Sequence, residues 1–478
     1  MDPLLILLIG MAIVVGGILI FRTHAFLALV IGALVVAALT SPVAIEIYAE
    51  SKGMTAAETE NLVDQTFGER VARGFGNTAA KIGILIAMAA VIGACLLESG
   101  AADRIVRSAL GAFGERRAPG AFLSSGFLLA IPVFFDTVFY LLIPIAKAMG
   151  LRVRRDFLWY VMAIVAGAAM AHTLVPPTPG PLFVASELGI DLGVMMIAGL
   201  ALGLVTASCG FAYGWWANRR WPIPVRETSE VSTEDLEAMS VRPDEELPSF
   251  GLAVLPIVLP VVLIAGGTVL GATLGGVDAA APWQATLLKI FSGLGNSTVA
   301  LTIAAVVALV ILARQRRGGR ERVKNTVQNA LKSGGVIILI TAAGGALGAV
   351  LQQTGIGLRI EELATAYNIA VLPLAFLVTA LVRTAQGSAT VSMITAVGIL
   401  SGFSDPAVLG FHPVYLALAI GCGSKPIPWM NDSGFWVVGK MSGLTEAETL
   451  KTFSIELTLM GFAGIAVVMI AAKLLPLI

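Results

Sequence analysis

Four polar interruptions in otherwise apolar sequence carry the side chains with the richest chemistry. The first, Ile131-Pro132-Val133-Phe134-Phe135-Asp136-Thr137, sets an ionisable Asp136 and the Thr137 hydroxyl beside a proline. A charged group at membrane depth costs roughly 2.5–3.5 kcal/mol on insertion scales. Asp136 therefore reads as a working carboxyl or as the cap of the helix that follows, and the two roles are compatible. The second, His172-Thr173-Leu174-Val175-Pro176-Pro177-Thr178-Pro179-Gly180-Pro181, cannot continue a helix, because each proline removes a donor and clashes with the preceding turn. Its free carbonyls and the hydroxyls of Thr173 and Thr178 can bind a hydroxylated ligand. His172 reads as a proton relay or as a structural hydrogen bonder.

The third interruption, Arg383-Thr384-Ala385-Gln386-Gly387-Ser388-Ala389-Thr390, buries a guanidinium within the apolar stretch 371–400. Such a group matches a carboxylate in bidentate fashion. Gly387 allows a turn that brings N–H groups and the polar ends of Thr384, Gln386, Ser388 and Thr390 to an anion; the alternative is a snorkelling arginine in a helix cap. The fourth, Gly423-Ser424-Lys425-Pro426-Ile427-Pro428-Trp429-Met430-Asn431-Asp432-Ser433-Gly434-Phe435-Trp436, gathers Asn431, Asp432 and Ser433 as around a polyol or a coupling ion. It reads equally as an interfacial loop anchored by Trp429 and Trp436, with Lys425 adding interfacial character. Glu98, near the end of an apolar span, reads as a polar contact close to the cytoplasmic face or as a proton carrier.

The elements that must hold these groups are membrane spans. Of the 478 residues, 57% are hydrophobic and 13% charged, against roughly 25% charged in soluble domains. Several apolar stretches reach the ~20 residues that cross a bilayer, so the expected fold class is an all-α polytopic membrane protein. With 31 basic and 31 acidic residues there is no basic field for nucleic acid. Cys95, Cys209 and Cys422 lie far apart and read as small packing residues. His24, His172 and His412 are scattered, and no HExxH or GxSxG motif occurs, which argues against a membrane-embedded enzyme. No metal site or cofactor is expected. The first twenty residues carry Asp2 where a signal peptide has a basic region, and they read as a retained span.

Full spans are expected at 3–21, 25–40, 78–98, 157–175, 192–216, 250–274, 297–313, 333–351, 411–424 and 453–475. The stretches 119–146 and 371–400 are broken near their middles. Arg and Lys accumulate on the cytoplasmic side, so the cluster Arg314, Arg316, Arg317, Arg320, Arg322 and Lys324 lies inside. Counting back puts Arg219, Arg220, Arg104, Arg107, Arg116 and Arg117 inside and the acidic loop 41–76 outside, with both termini outside. The stretch 119–146 has Arg116 and Arg117 before it and Lys147, Arg152, Arg154 and Arg155 after it. A re-entrant hairpin keeps both clusters on one side, and its broken backbone must line a cavity or be buried in protein. The polar stretch 218–249, with Glu227, Glu230, Glu234, Asp235 and Glu237, reads as a cytoplasmic linker.

A repeat organises the whole. Residues 93–105 match 348–360 without a gap at Gly93/Gly348, Ala94/Ala349, Leu96/Leu351, Gly100/Gly355, Arg104/Arg359 and Ile105/Ile360. Broken stretches follow each copy at similar distances. Four spans separate the copies, so they run in opposite directions. The expected domains are a first transmembrane repeat, 1–217, the linker, 218–249, and a second, inverted repeat, 250–478. Each repeat holds about five transmembrane helices and one re-entrant helical hairpin with a broken helix. Secondary transporters are often built this way, with substrate near the midplane at discontinuous helices.

At these motifs the chain resembles the gluconate:proton symporter (gluconate permease) family of the ion transporter superfamily. The resemblance lies in Phe75-Gly76-Asn77-Thr78, Leu96-Leu97-Glu98-Ser99-Gly100-Ala101-Ala102, Ile131 to Asp136, His172 with Pro176 to Pro181, Arg383 to Thr390, and Asn431-Asp432-Ser433-Gly434-Phe435-Trp436. It implies uptake of a small anionic sugar acid with H+ across the inner (plasma) membrane. It also implies a homodimer embedded in lipid that works by an elevator-like step. Asp136, His172, Asp432 and Glu98 are the candidate proton carriers. The chain departs from the family pattern at Thr137-Val138-Phe139-Tyr140, at Thr178 and at Gly423 to Pro428, all of which bear on the choice of substrate. A sodium-coupled carboxylate transporter of the same architecture is the nearest alternative, and a passive channel a remote one.

Overall fold

The computed structural model describes residues 1–21, 23–153, 155–226, 243–274, 282–314, 319–356, 358–359, 370–400 and 409–477. Every regular element among them is helical. Seven helical stretches are long and apolar enough to cross a membrane, or eight if the bent pair α2 (Ala25–Leu39) and α3 (Pro42–Ser51) forms one span. Glu227, Glu230, Glu234, Asp235 and Glu237 of the expected linker lie outside the described residues. So do Arg154, Arg316 and Arg317 of the basic clusters and Ile360 of the repeat.

The helices begin where local chemistry says they can. Asp2 accepts the Leu4 N–H at 2.8 Å and starts α1 (Pro3–Leu19). Reciprocal capping boxes, Thr55 with Glu58 and Thr66 with Glu69, start α4 (Ala56–Asp64) and α5 (Phe67–Glu98). The stretch 41–76, expected as a loop, is thus largely helical. The reason is that short capped helices form from polar sequence that hydropathy passes over.

The central pair is α5 and α15 (Gly319–Gln352), which pack along each other. At 32 and 34 residues they run about 48 and 51 Å, well beyond a ~30 Å hydrocarbon layer. Their apolar portions match the expected spans, and each adds a polar N-terminal extension. Small residues permit the approach: a Cβ at Gly345 would stand 2.0 Å from Thr78 Oγ1. Gly345→Val is expected to overpack this crossing, which typically costs about 1–3 kcal/mol. A fall in the homogeneous fraction on size exclusion, absent in Gly83→Val at an ordinary 3.7 Å contact, checks this.

Each broken stretch is a pair of helices. After α6 (Ala101–Phe113), the first pair is α7 (Ala118–Leu129) and α8 (Phe135–Val153), with the break at 130–134. Next come α9 (Phe157–Leu174), ended by the prolines, α10 (Pro179–Glu187) and α11 (Leu192–Arg220). Then follow α12 (Phe250–Leu274), α13 (Pro282–Leu294) and α14 (Ser297–Arg314). After α15 the order of types recurs. The pair α16 (Val371–Gln386) and α17 (Ala389–Leu400) precedes the short α18 (Val414–Gly423) and α19 (Ser433–Ser442). Last is the long α20 (Glu446–Leu474), with a π turn at Leu450–Ser454.

The packing is reciprocal. The second helix of the first pair, α8, lies on α19, and the second helix of the other pair, α17, lies on α10. This exchange draws all four interruptions toward one place. Around it the ends of the polar stretch fold back on the helices. Arg107 pairs with Asp244 at 2.8 Å, and Arg226 grips Glu448 through two bonds of 2.6 and 2.8 Å.

Candidate substrate chamber

The breaks create helix N-termini in the interior, and three of them converge. Asp136 lies in the first turn of α8, Ala389 and Thr390 open α17, and Ser433 and Gly434 open α19. All five residues line one cavity of about 280 Å³. The first N–H groups of a helix lack intrahelical partners and carry the positive end of its dipole. Three such ends facing one space form a setting for an anion. Ser388, whose Oγ accepts the Val391 N–H at 3.3 Å, lines the same wall.

Two buried basic side chains, Arg383 and Lys425, lie beside these helix ends. Arg383 donates through Nε to the Ser424 carbonyl at 2.9 Å and pairs through Nη2 with Asp432, while its Nη1 is buried with no partner. Lys425 is buried too, and its Nζ donates to the Ala169 carbonyl at 2.6 Å. That carbonyl also accepts from Thr173 Oγ1 at 3.0 Å. Asp432 is spoken for, since Oδ1 caps α19 by accepting the Phe435 N–H at 3.0 Å while Oδ2 takes Arg383. Asp136, by contrast, has no hydrogen bond or ion pair among the described residues. His172 presents its ring edge-on to Phe134, centroids 6.0 Å apart, with Nδ1 buried and unpartnered. Phe134, Phe135, Ile337, Phe453 and Leu457 complete an apolar wall.

Of the residues singled out from sequence, Asp136, His172, Arg383, Ser388, Thr390, Asp432 and Ser433 line this cavity. Thr137, Thr178, Thr384, Gln386, Asn431 and Glu98 do not. Thr178 is buried with its hydroxyl given to the Val175 carbonyl at 2.6 Å. The Thr384 carbonyl accepts from Trp429 Nε1 at 2.9 Å and Asn431 Nδ2 at 2.8 Å, which binds the turn at Gly387 to the fourth break. The Gln386 amide is buried with neither end partnered. Glu98 stands elsewhere, ion-paired with Arg322 at 3.0 Å beside a separate cavity lined by Asn325 and Asn329.

Sequence reasoning missed Lys425 as a member of the site, treating it as interfacial. The available signal was its place within a proline-broken apolar stretch, the same setting that singled out Arg383. Thr173, whose hydroxyl belongs to the second interruption, lines the cavity, while Phe453 gave no signal, because a lone Phe in an apolar run is ordinary.

Membrane-length helices that break around a buried, charge-bearing chamber define a multi-pass membrane protein built as a permease. The chain belongs to the GntP permease family: the family model described as "GntP family permease" matches residues 2–475. This membership makes it a permease and not an enzyme. It is 33% identical over 482 residues to an uncharacterized permease of Haemophilus influenzae, covering 98% of this chain and 92% of that one. It is 32% identical over 407 residues to the low-affinity gluconate transporter of Escherichia coli K12, covering 84% and 87%. Among solved structures, Neisseria gonorrhoeae MtrF, described within a class of antimetabolite efflux pumps, shares the fold. Its TM-score is 0.61 at 16% identity, with 87% of this chain and 85% of that chain covered.

Proposed function

We propose that this permease imports gluconate or a related sugar acid together with protons, binding the substrate in the chamber between the two helix pairs. The observation that carries the reading is the convergence of three helix N-termini with Arg383 and Lys425 on one small cavity. Its volume, about 280 Å³, falls just below the usual span of ligand pockets, roughly 300–1,000 Å³, which suits a small acid. The substrate carboxylate sits between Lys425 and the unpartnered Nη1 of Arg383. Ser388, Thr390, Ser433 and Thr173 receive its hydroxyls. Thr384, Gln386 and Asn431 act one layer out by holding the turn at Gly387.

Asp136 is the proton carrier nearest the substrate, since it is the chamber carboxyl without a partner. Asp432 is less suited, because protonating it leaves the buried Arg383 charge uncompensated. Substrate and proton bound together must favour a different conformer than either alone. The recurrence of element types and the reciprocal packing of α8 on α19 and α17 on α10 support two inverted repeats, 1–217 and 250–478, about the linker 218–249. Termini outside, a homodimer and an elevator-like step belong to the same reading.

The test is uptake of radiolabelled gluconate into liposomes holding the pure protein, with a pH gradient or a sodium gradient imposed separately. Accumulation under the acid-outside gradient alone is the expected result. Accumulation that requires sodium would overturn proton coupling, and no uptake under either gradient would overturn the substrate. In the same assay Asp136→Asn is expected to lose acid-driven accumulation. Lys425→Gln is expected to raise KM for gluconate about tenfold, the worth of one charge-assisted hydrogen bond. An unchanged KM would remove Lys425 from the substrate carboxylate.

A further inference from the structure

One buried acid lies outside the chamber and belongs to no part of the mechanism above. Glu456 is on the membrane-spanning α20 and is fully buried, 0% exposed, with neither carboxyl oxygen partnered among the described residues. A carboxylate in such a place would be an isolated charge in a low-dielectric interior, which proteins avoid by pairing or neutralising the group. The helices packed on α20 include α11, α18, α9, α16 and α19, the last of which carries Lys440. From α11, Cys209 and Tyr213 are the titratable neighbours of Glu456. The Tyr213 hydroxyl is turned to the Lys451 carbonyl. From the others, His172, Arg383 and Lys425 line the chamber, Cys422 packs toward Gly464, and Tyr160 packs on Phe122. None of these gives Glu456 a counter-ion.

Its placement links it to transport. Phe453, one turn before it, and Leu457, the next residue, both line the chamber. The π turn at Leu450–Ser454 ends just before it; such turns are rare and recur at functional sites. Ser454 donates to the Pro428 carbonyl and Thr458 Oγ1 accepts the Ile427 N–H at 2.9 Å, so this part of α20 is tied to the loop that carries Lys425.

The geometry points to Glu456 as a second proton-binding site, loaded in this conformation and emptied to water when α20 shifts against α11 during transport. Loading forms an O–H bond on one carboxyl oxygen; release returns that proton to water entering the opened interface. The inference rests on the proton-coupled reading above.

Two measurements on the full-length reconstituted protein test it. In infrared spectra at neutral pH, a carboxylic-acid carbonyl band present in the wild type is expected to vanish in Glu456→Gln. That variant is expected to lose acid-driven gluconate accumulation, down to the level of protein-free liposomes, while gluconate–gluconate exchange persists. An unchanged infrared band, normal acid-driven accumulation, or loss of exchange along with accumulation would each overturn the inference. If the wild type accumulates on sodium alone, proton coupling itself falls and takes the transport role of Glu456 with it. Normal acid-driven accumulation in both proteins overturns Glu456 only.

Discussion

Arg383→Lys is expected to weaken gluconate binding roughly 10- to 100-fold, while the amount of folded protein in the membrane stays close to wild type. The guanidinium does three things from one position. It donates to the Ser424 carbonyl, pairs with Asp432 and keeps Nη1 buried without a partner among the described residues. An ammonium keeps the positive charge, so Asp432 is not stranded, but it cannot reproduce the planar fork that serves all three. The lost component is the one aimed at the substrate, and a charge-assisted hydrogen bond is worth about 1.5–3 kcal/mol. Arg383→Ala is the contrasting case. It leaves a buried carboxylate unpaired at about 3–5 kcal/mol, so it is expected to reduce folded protein as well. Titration of purified protein with gluconate, beside quantification of folded protein, separates the two effects. Normal affinity in Arg383→Lys would take Arg383 out of the substrate site.

Gly387→Ala is expected to abolish uptake in protein that still inserts in the membrane. Gly387 ends α16 at φ 78°, a left-handed conformation that costs a residue with a Cβ roughly 1–2 kcal/mol. A Cβ there would also stand 2.1 Å from the Asn431 carbonyl oxygen and 2.6 Å from its carbon. Backbone atoms cannot rotate out of the way, so the turn between α16 and α17 must part from the segment before α19. Both sides of that contact open directly onto the chamber, at Ser388 and at Asp432. Gly355 provides the control, because it has φ 77° with nothing within 4 Å of its added Cβ. Gly355→Ala pays the conformational cost alone and is expected to keep transporting. Equal loss in the two variants would mean that backbone strain, not contact with Asn431, underlies the effect.

Much of the site was legible because helix breaks obey local rules. Pro132, the prolines from 176 to 181, Gly387 and Pro426 with Pro428 mark places where a helix is locally disfavoured, although α8 runs through Pro144 and α12 through Pro256 and Pro260. Polar side chains next to such breaks inside apolar sequence were therefore found. Their directions were not. Thr178 and Lys425 occupy similar proline-rich breaks, yet the Thr178 hydroxyl turns back to its own backbone while Lys425 reaches across to α9. Nothing local distinguishes them, since the outcome depends on which helix packs alongside. Glu456 makes the same point. In sequence it follows Glu446, Glu448 and Lys451 and resembles the polar end of a span, and only the helices packed on α20 reveal that it is buried.

By itself, then, the amino-acid sequence determined that this chain is helical and lies in a membrane, where its helices break, and which family it resembles. These follow from apolar content, backbone stereochemistry and short motifs, all of which act within a few residues. The tertiary structure alone decided that three helix ends and two basic side chains share one cavity, that Arg383 is already paired with Asp432, and that among the described residues Glu456 has no hydrogen-bond partner. Those facts depend on contacts between segments tens to hundreds of residues apart. Burial and charge pairing are properties of the packed whole, and no window of sequence contains them.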